Sequence, residues 1–270
     1  MRHLIHALLI PAALFLGAPL AGQEAPAPAP AGPGDAEVLK LYDGLRVADV
    51  VDGMDVVGLR GVGLVDTRFQ ALWKDLDRFD HQFRGIALTV RYVPQNRVVA
   101  NPIPAEQYAK WESDWYNQVS PEPFLPLIKP GSVIVIDGSG NGDVGTIGSF
   151  NALEWMSRGA RGILTTGNIR DTDEVIKERI PVYYDPLQRG RGIRPGRNMV
   201  ESVNKPVVIG GALVRPGDVV VADGDGVVVV PREYATPVAQ AARAILVKDK
   251  AGRKALYERL GRTPDKTVID

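Results

Sequence analysis

Residues 130–171, PGSVIVIDGSGNGDVGTIGSFNALEWMSRGARGILTTGNIRD, decide how this chain folds. Pro130-Gly131 is a turn signal. Ser132 to Ile136 is an apolar, β-branched run too short for a helix, which predicts a buried strand ending at Asp137. A glycine-rich loop follows from Gly138 to Gly148, then helical spacing around Ala152 to Arg158, then a second strand over Gly162 to Thr166. Strand, loop, helix and strand make the repeating unit of a parallel sheet, and such sheets take ligands beyond the carboxyl ends of their strands.

The second strand runs into Gly167-Asn168-Ile169-Arg170-Asp171-Thr172-Asp173-Glu174, which sets a fixed cation beside a carboxylate at the start of a short helix ending near Ile180. Free backbone N–H groups and the helix dipole attract anions at such a start. Asp171 and Glu174, three residues apart, share one helix face and suit a hard cation. Together these features suit a small carboxylate substrate bound through a metal. The structural alternative is a surface ion pair at a helix start, which contributes little.

Outward from this unit, residues 36 to 58 predict two short helices, 86 to 93 a strand, and 104 to 117 a helix whose Trp111 and Trp115 pack a core or a subunit contact. Pro181 to Tyr184 resumes extended structure. Val207 to Ile209, Val219 to Ala222 and Val227 to Val230, punctuated by glycine and aspartate turns, predict a compact β-meander. From Thr236 as N-cap and Pro237 as first helical residue, a helix runs to about Arg262, with Ala239, Ala242, Ile245, Leu246 and Leu256 on its buried face.

Residues 1–22 combine Arg2 with an apolar stretch from Leu4 to Leu20 and small residues at its end, which reads as a secretory signal peptide and an exported, periplasmic or secreted protein. Pro11, Gly17 and Pro19 interrupt the stretch, so no stable membrane insertion is expected after cleavage. Residues 23–34, almost all Ala, Pro, Gly, Gln and Glu, read as a linker, and 35–270 as one domain.

Composition then excludes whole classes of chemistry. Lysine plus arginine number 32 and aspartate plus glutamate 32, so nothing in the overall charge pulls the chain toward nucleic acid. There is no cysteine, which removes thiolate chemistry. Two of three histidines, His3 and His6, lie in the signal segment, leaving His81 alone, so a zinc site of several histidines cannot be assembled within the chain. His81 itself, in a half-exposed segment leading into a strand, reads as a structural or surface residue rather than a catalytic one. Any metal is therefore oxygen-loving, Mg²⁺ or Mn²⁺.

Gly140, Gly142 and Gly145 satisfy G-x-G-x-x-G, but the helix starts several residues later and the acidic Asp171 is too distant for a dinucleotide fingerprint. Arg189, Arg191, Arg194 and Arg197 form a basic, glycine-rich loop that suits anion recognition, docking or simple solvation.

Val47-Ala48-Asp49-Val50-Val51-Asp52-Gly53, Arg84-Gly85-Ile86-Ala87, Pro130-Gly131, Ile136-Asp137-Gly138, Gly159 to Asp171 and Gly211 to Pro231 together resemble the RraA-like family. That family includes 4-hydroxy-4-methyl-2-oxoglutarate aldolases, oxaloacetate decarboxylases and regulators of ribonuclease activity. The resemblance implies an α/β fold of the swivelling β/β/α type with a C-terminal helix, assembled as a homotrimer or hexamer. The aldolase signature is an acidic residue, twenty intervening residues, Arg-Asp, two residues, and Glu or Asp. Arg170, Asp171 and Glu174 fit its second half, and the acidic position falls on Ser149.

By this resemblance Asp171, with Glu174 beside it, would help hold Mg²⁺ or Mn²⁺, and Arg170 would stabilise an enolate oxygen. Backbone N–H groups around Gly148, Ser149, Phe150 and Asn151 would grip a pyruvate-like carboxylate. The expected activity is a carbon-carbon lyase on a 2-oxo dicarboxylic acid. Because Ser149 lacks the carboxylate that would orient a proton-abstracting water, decarboxylation is favoured over retro-aldol cleavage, unless Asp143 or Glu174 supplies a relocated base. The alternative is a non-catalytic binding or regulatory protein on the same fold.

Overall fold

The structure is a computed structural model that describes residues 32–99 and 102–269. The signal segment and most of the linker predicted for residues 1–34 lie outside the described residues. In chain order the elements are α1 (Asp35–Tyr42), α2 (Val47–Val56), β1 (Gln70–Ala71), β2 (Phe83–Pro94), α3 (Ala105–Gln118), β3 (Ser132–Asp137), α4 (Ser149–Ser157) and β4 (Ala160–Thr165). They continue with α5 (Thr172–Lys177), β5 (Val182–Tyr184), β6 (Asn198–Val203), β7 (Val207–Ile209), β8 (Ala212–Val214), β9 (Val219–Asp223), β10 (Gly226–Val230) and α6 (Ala235–Arg259).

All six residues of β3 are buried, as a strand covered on both faces requires. Strands β2, β3, β4 and β5 run parallel, in the sheet order β1-β5-β4-β3-β2-β9-β10. β2 is long enough to take two antiparallel neighbours on one edge. Its first half pairs β9 from Phe83↔Ala222, and its second half pairs β6 as far as Pro94↔Asn198, with a register shift between Arg91 and Tyr92.

Successive β3 side chains serve different cores, because they point to opposite faces. Ile134 and Ile136 join Ile147, Trp155, Ile163 and Val175 under α4 and α5. Val133 and Val135 join Leu164, Tyr183, Val220 and Val229, closed over by the β7–β8 ribbon. A third cluster packs α1, α2 and α6 on β9 and β10 through Tyr42, Leu45, Met54, Val221, Val228 and Leu246. Each such fully buried apolar side chain contributes roughly 1.5–3 kcal/mol. Gly53 lets α2 and α6 approach closely, since a Cβ there would lie 2.8 Å from the Val238 carbonyl oxygen. The result is a mixed α/β fold of the swivelling β/β/α type, its sheet curled toward closure and its C-terminal helix laid across α2.

Several boundaries depart from the sequence reading. The predicted meander divides: β7 and β8 form a separate two-stranded ribbon, while β9 and β10 extend the main sheet. Helix α6 begins at Ala235, after a 3₁₀ turn at Arg232–Tyr234, so Thr236 is already inside it. Leu256 is 40% exposed rather than buried, because α6 has by then run past the α1–α2 layer. His81, expected to be half-exposed, is buried, and its Nδ1 accepts the Asp75 N–H at 3.0 Å. Burial lowers its pKa, which keeps it a neutral structural group.

Candidate active site

The glycine loop leaves β3, crosses its carboxyl end, and returns beside the tract that leaves β4. Ile147 and Ile169 form a parallel bridge, with the Ile147 N–H on the Asn168 carbonyl and the Arg170 N–H on the Ile147 carbonyl, both at 2.9 Å. That bridge sets the starts of α4 and α5 side by side at the ends of parallel strands. The loop is locked from within. Asn168, at φ +70°, donates through Nδ2 to the Val144 carbonyl at 2.8 Å, and the Thr166 hydroxyl accepts the Gly138 N–H at 2.8 Å.

Arg170 donates through Nε to the Gly145 carbonyl at 3.0 Å and through Nη1 to Asp171 Oδ1 at 3.3 Å. Asp171 is the N-cap residue of α5 in a left-handed conformation, φ +53° and ψ +41°, a region aspartate enters more readily than most residues. Its Oδ2 accepts the Ser149 N–H at 3.3 Å. Gly145 and Gly148 make this assembly possible. A Cβ at Gly145 would lie 2.6 Å from Arg170 Cδ, and one at Gly148 would lie 2.7 Å from Asp171 Oδ2.

The side chains of Arg170 and Asp171 are 28% and 33% exposed and line an open cavity of about 520 Å³ with Thr172, Leu187, Arg189, Gly190 and Arg191. Helix α4 begins at Ser149, not near Ala152, with Gly148 as its N-cap. Its first intrahelical bond runs from the Ala152 N–H to the Gly148 carbonyl. The Phe150 and Asn151 N–H groups precede that bond and have no hydrogen-bond partner among the described residues, while that of Ser149 is engaged by Asp171. The Phe150 side chain is 81% exposed. Glu174 lies exposed in the first turn of α5, with no hydrogen bond or ion pair of its side chain among the described residues.

Two further groups reach the site from α3 and the segment after it. The Tyr116 phenol lies within electrostatic reach of the Arg170 guanidinium; burial raises its pKa, and the Arg170 charge works against that rise. Glu122 accepts from Asn151 Nδ2 at 2.5 Å and Trp155 Nε1 at 3.1 Å, tying down the first turn of α4. Burial raises the Glu122 pKa, and those two donors partly offset it. The sequence reading passed over both residues; the only signal was that Tyr116 follows Trp115 on a helix.

The basic loop folds across the glycine loop. Asp143 accepts the Arg191 N–H at 2.6 Å and Arg191 Nε at 3.0 Å, with Arg194 Nη2 at 3.3 Å. These bonds hold its carboxyl at about 2, which makes it a poor proton acceptor at neutral pH. Arg189 donates to Thr172 Oγ1 at 2.7 Å, next to Asp171.

Among the described residues no three His, Cys, Asp or Glu side chains gather as a metal cage. Mg²⁺ does not need one: it keeps several waters and is held by one or two carboxylates together with substrate oxygens. Asp171, partly exposed on the cavity, fits that requirement.

Fold and site together define a mixed α/β protein with an Arg-Asp pair set against a helix start at the ends of parallel strands. The chain belongs to the RraA-like family: a family model described as Aldolase/RraA matches residues 47–229. A protein of Halalkalibacterium halodurans named "Putative 4-hydroxy-4-methyl-2-oxoglutarate aldolase" is 32% identical over 130 residues, 48% of this chain and 60% of that relative. The chain thus spans under two thirds of that relative's length. A solved structure of an uncharacterized protein from Pseudomonas syringae pv. tomato aligns with TM-score 0.61 at 25% identity, over 89% of this chain and 96% of that one. Streptomyces coelicolor RraAS2, described as an unusual member of the RNase ES inhibitor RraA protein family, shares the fold with TM-score 0.62 at 24% identity, over 83% of this chain and 99% of that one.

Proposed function

We propose that this protein is a divalent-metal-dependent lyase that acts on a 2-oxo dicarboxylic acid through a pyruvate enolate, with decarboxylation of an oxaloacetate-like acid as its main reaction. The observation that carries this reading is the Arg170–Asp171 pair held by Gly145, Gly148 and the Ser149 N–H beside a helix start. The Phe150 and Asn151 N–H groups receive the substrate's 1-carboxylate. Mg²⁺ or Mn²⁺, held by Asp171, supplies Lewis acidity at the 2-oxo group when bound. As the bond from C3 to the distal carboxylate breaks, CO₂ departs and its electron pair becomes the enolate. The Arg170 guanidinium, placed by the Gly145 carbonyl and Asp171, stabilises the charge gathering on the enolate oxygen. Protonation at C3 then gives pyruvate.

No hydroxyl proton has to be removed in this sequence, so a serine at position 149 does not obstruct it. The same serine favours the second reading, a binding or regulatory protein on this fold, if the acidic group proves indispensable. The proposal also places the protein outside the cytoplasm, on the strength of residues 1–22, as a homotrimer or hexamer; N-terminal sequencing of the exported form and light scattering test these points.

The test is pyruvate release by the purified protein with Mg²⁺ or Mn²⁺, on oxaloacetate and on a 4-hydroxy-2-oxo dicarboxylate, each above a metal-only blank. Chelator-sensitive release from oxaloacetate supports the proposal. Absence of release from both substrates overturns it in favour of the binding reading.

A further inference from the structure

A second cavity, of about 420 Å³, lies at the end of the sheet opposite Arg170. It opens at the amino end of β2, where Gln82 and Arg84 meet the Asp223-Gly224-Asp225 turn between β9 and β10, and α6 and the C-terminal segment form its other wall. Arg170, by contrast, lies beyond the carboxyl ends of the parallel strands. Six cationic side chains line this cavity against two carboxylates, Asp223 and Asp225.

The cations differ in how they are satisfied. Arg46 is paired with Asp49 at 2.6 Å and Asp249 at 2.9 Å, and Arg78 with Asp80 at 3.0 Å. Three others hydrogen-bond only neutral groups among the described residues, with Asp265 in electrostatic reach of Arg253. Arg84 donates through Nε to the Leu45 carbonyl at 2.7 Å and through Nη2 to Gln82 Oε1 at 3.2 Å, and its Nη1 makes no hydrogen bond among the described residues. Arg253 forks onto the carbonyl and hydroxyl of Thr267 at 3.1 and 3.0 Å. Lys266 donates to the Asp77 carbonyl and stands 4.2 Å over the Phe79 ring.

Asp223 does not neutralise Arg84. Its Oδ2 accepts the Val47 N–H at 2.8 Å and its Oδ1 the Asp225 N–H at 2.9 Å, so both oxygens are engaged by backbone. Within electrostatic reach of Arg84 and Asp223, the Tyr183 hydroxyl is buried without a hydrogen-bond partner among the described residues. Desolvation lowers the Arg84 pKa, and the charges of Asp223, Asp43 and Asp49, none of which forms an ion pair with the guanidinium among the described residues, offset that fall only in part. A guanidinium with a free nitrogen, facing a cavity of ligand size beside two more cations, is complementary to paired anionic oxygens.

We propose that this pocket binds a small dianion bearing two or more anionic oxygens, either phosphate or a short dicarboxylate, through Arg84, Arg253 and Lys266. The site is separate from the Arg170–Asp171 centre and does not depend on its chemistry.

Isothermal titration calorimetry of the full chain with inorganic phosphate, and separately with succinate, tests this and distinguishes the two sources. The expected result is saturable binding of at least one probe, weakened by about tenfold or more in Arg84→Gln and in Lys266→Gln, and unchanged in Arg170→Ala. Lys266 is exposed, so its variant stays informative if Arg84→Gln fails to fold. Absence of binding of both probes, binding abolished by Arg170→Ala alone, or binding indifferent to Lys266→Gln would each overturn the proposal.

Discussion

Gly148→Ala is the smallest change that attacks the candidate site. The new methyl would fall 2.7 Å from Asp171 Oδ2 and 2.9 Å from Arg170 Nη2, where ordinary van der Waals contact begins at 3.4 Å. The pair must therefore retreat by about 0.3–0.7 Å, from the closest tolerable approach to a relaxed one. Both side chains are about one-third exposed, so they can move outward without disrupting the core. A misplacement of about 1 Å near a reacting centre costs up to about 100-fold, and scaling that in the logarithm gives roughly 4- to 25-fold in kcat/KM. Stability should fall by only about 1 kcal/mol, the cost of alanine at an N-cap, or roughly 2–4 °C in Tm. The assay is kcat/KM for pyruvate release beside thermal unfolding. Wild-type kcat/KM in a folded variant would refute the reasoning, as would a collapse of Tm with activity per folded molecule intact.

Gly252→Ala makes the same chemical change in the exposed interior of α6, where a Cβ meets nothing within 4 Å. It should raise stability by about 0.5–1 kcal/mol, read as a higher urea midpoint, with kcat/KM unchanged. Glu122 has a pKa raised by burial, so its contribution is complete below its ordinary 4.5 and is lost as pH rises through the raised value. Glu122→Gln cannot ionise, and its stability relative to wild type should improve as pH rises above 4.5; a constant gap in urea midpoints would contradict the raised pKa. Ser149→Asp restores a carboxylate at the first residue of α4, where the helix dipole favours it. It should increase pyruvate release from a 4-hydroxy-2-oxo dicarboxylate by about tenfold or more, and an unchanged rate would show that position 149 does not limit the retro-aldol step.

The parallel-sheet unit was legible because β3 is buried throughout and β4 is buried from Gly162 to Thr165, so each keeps a short apolar run. The start of α4 was not, since Gly148 offers no capping side chain and the exposed Phe150 hides the helical spacing until Ala152. β6 was missed because Asn198–Val203 lacks alternation: only Asn198 is fully buried, and the strand exists by pairing with a distant half of β2. The meander divided for a related reason, since the Gly210-Gly211 turn closes a local hairpin while β9 finds its partner in β2. At the site, Arg170 and Asp171 follow directly from a strand end. Tyr116 and Glu122 arrive from another part of the chain, and no local spacing announces that α3 will reach the guanidinium.

The central claim, that Arg170 and Asp171 perform metal-assisted cleavage, is tested most directly by kcat/KM for pyruvate release from oxaloacetate in Arg170→Ala and Asp171→Ala, with Mn²⁺ and with chelator. Arg170→Ala should lose about 100- to 1,000-fold through a missing enolate donor, and Asp171→Ala should fall to the metal-only blank with no further loss on chelation. Wild-type rates in both variants, insensitive to chelator, would contradict the account.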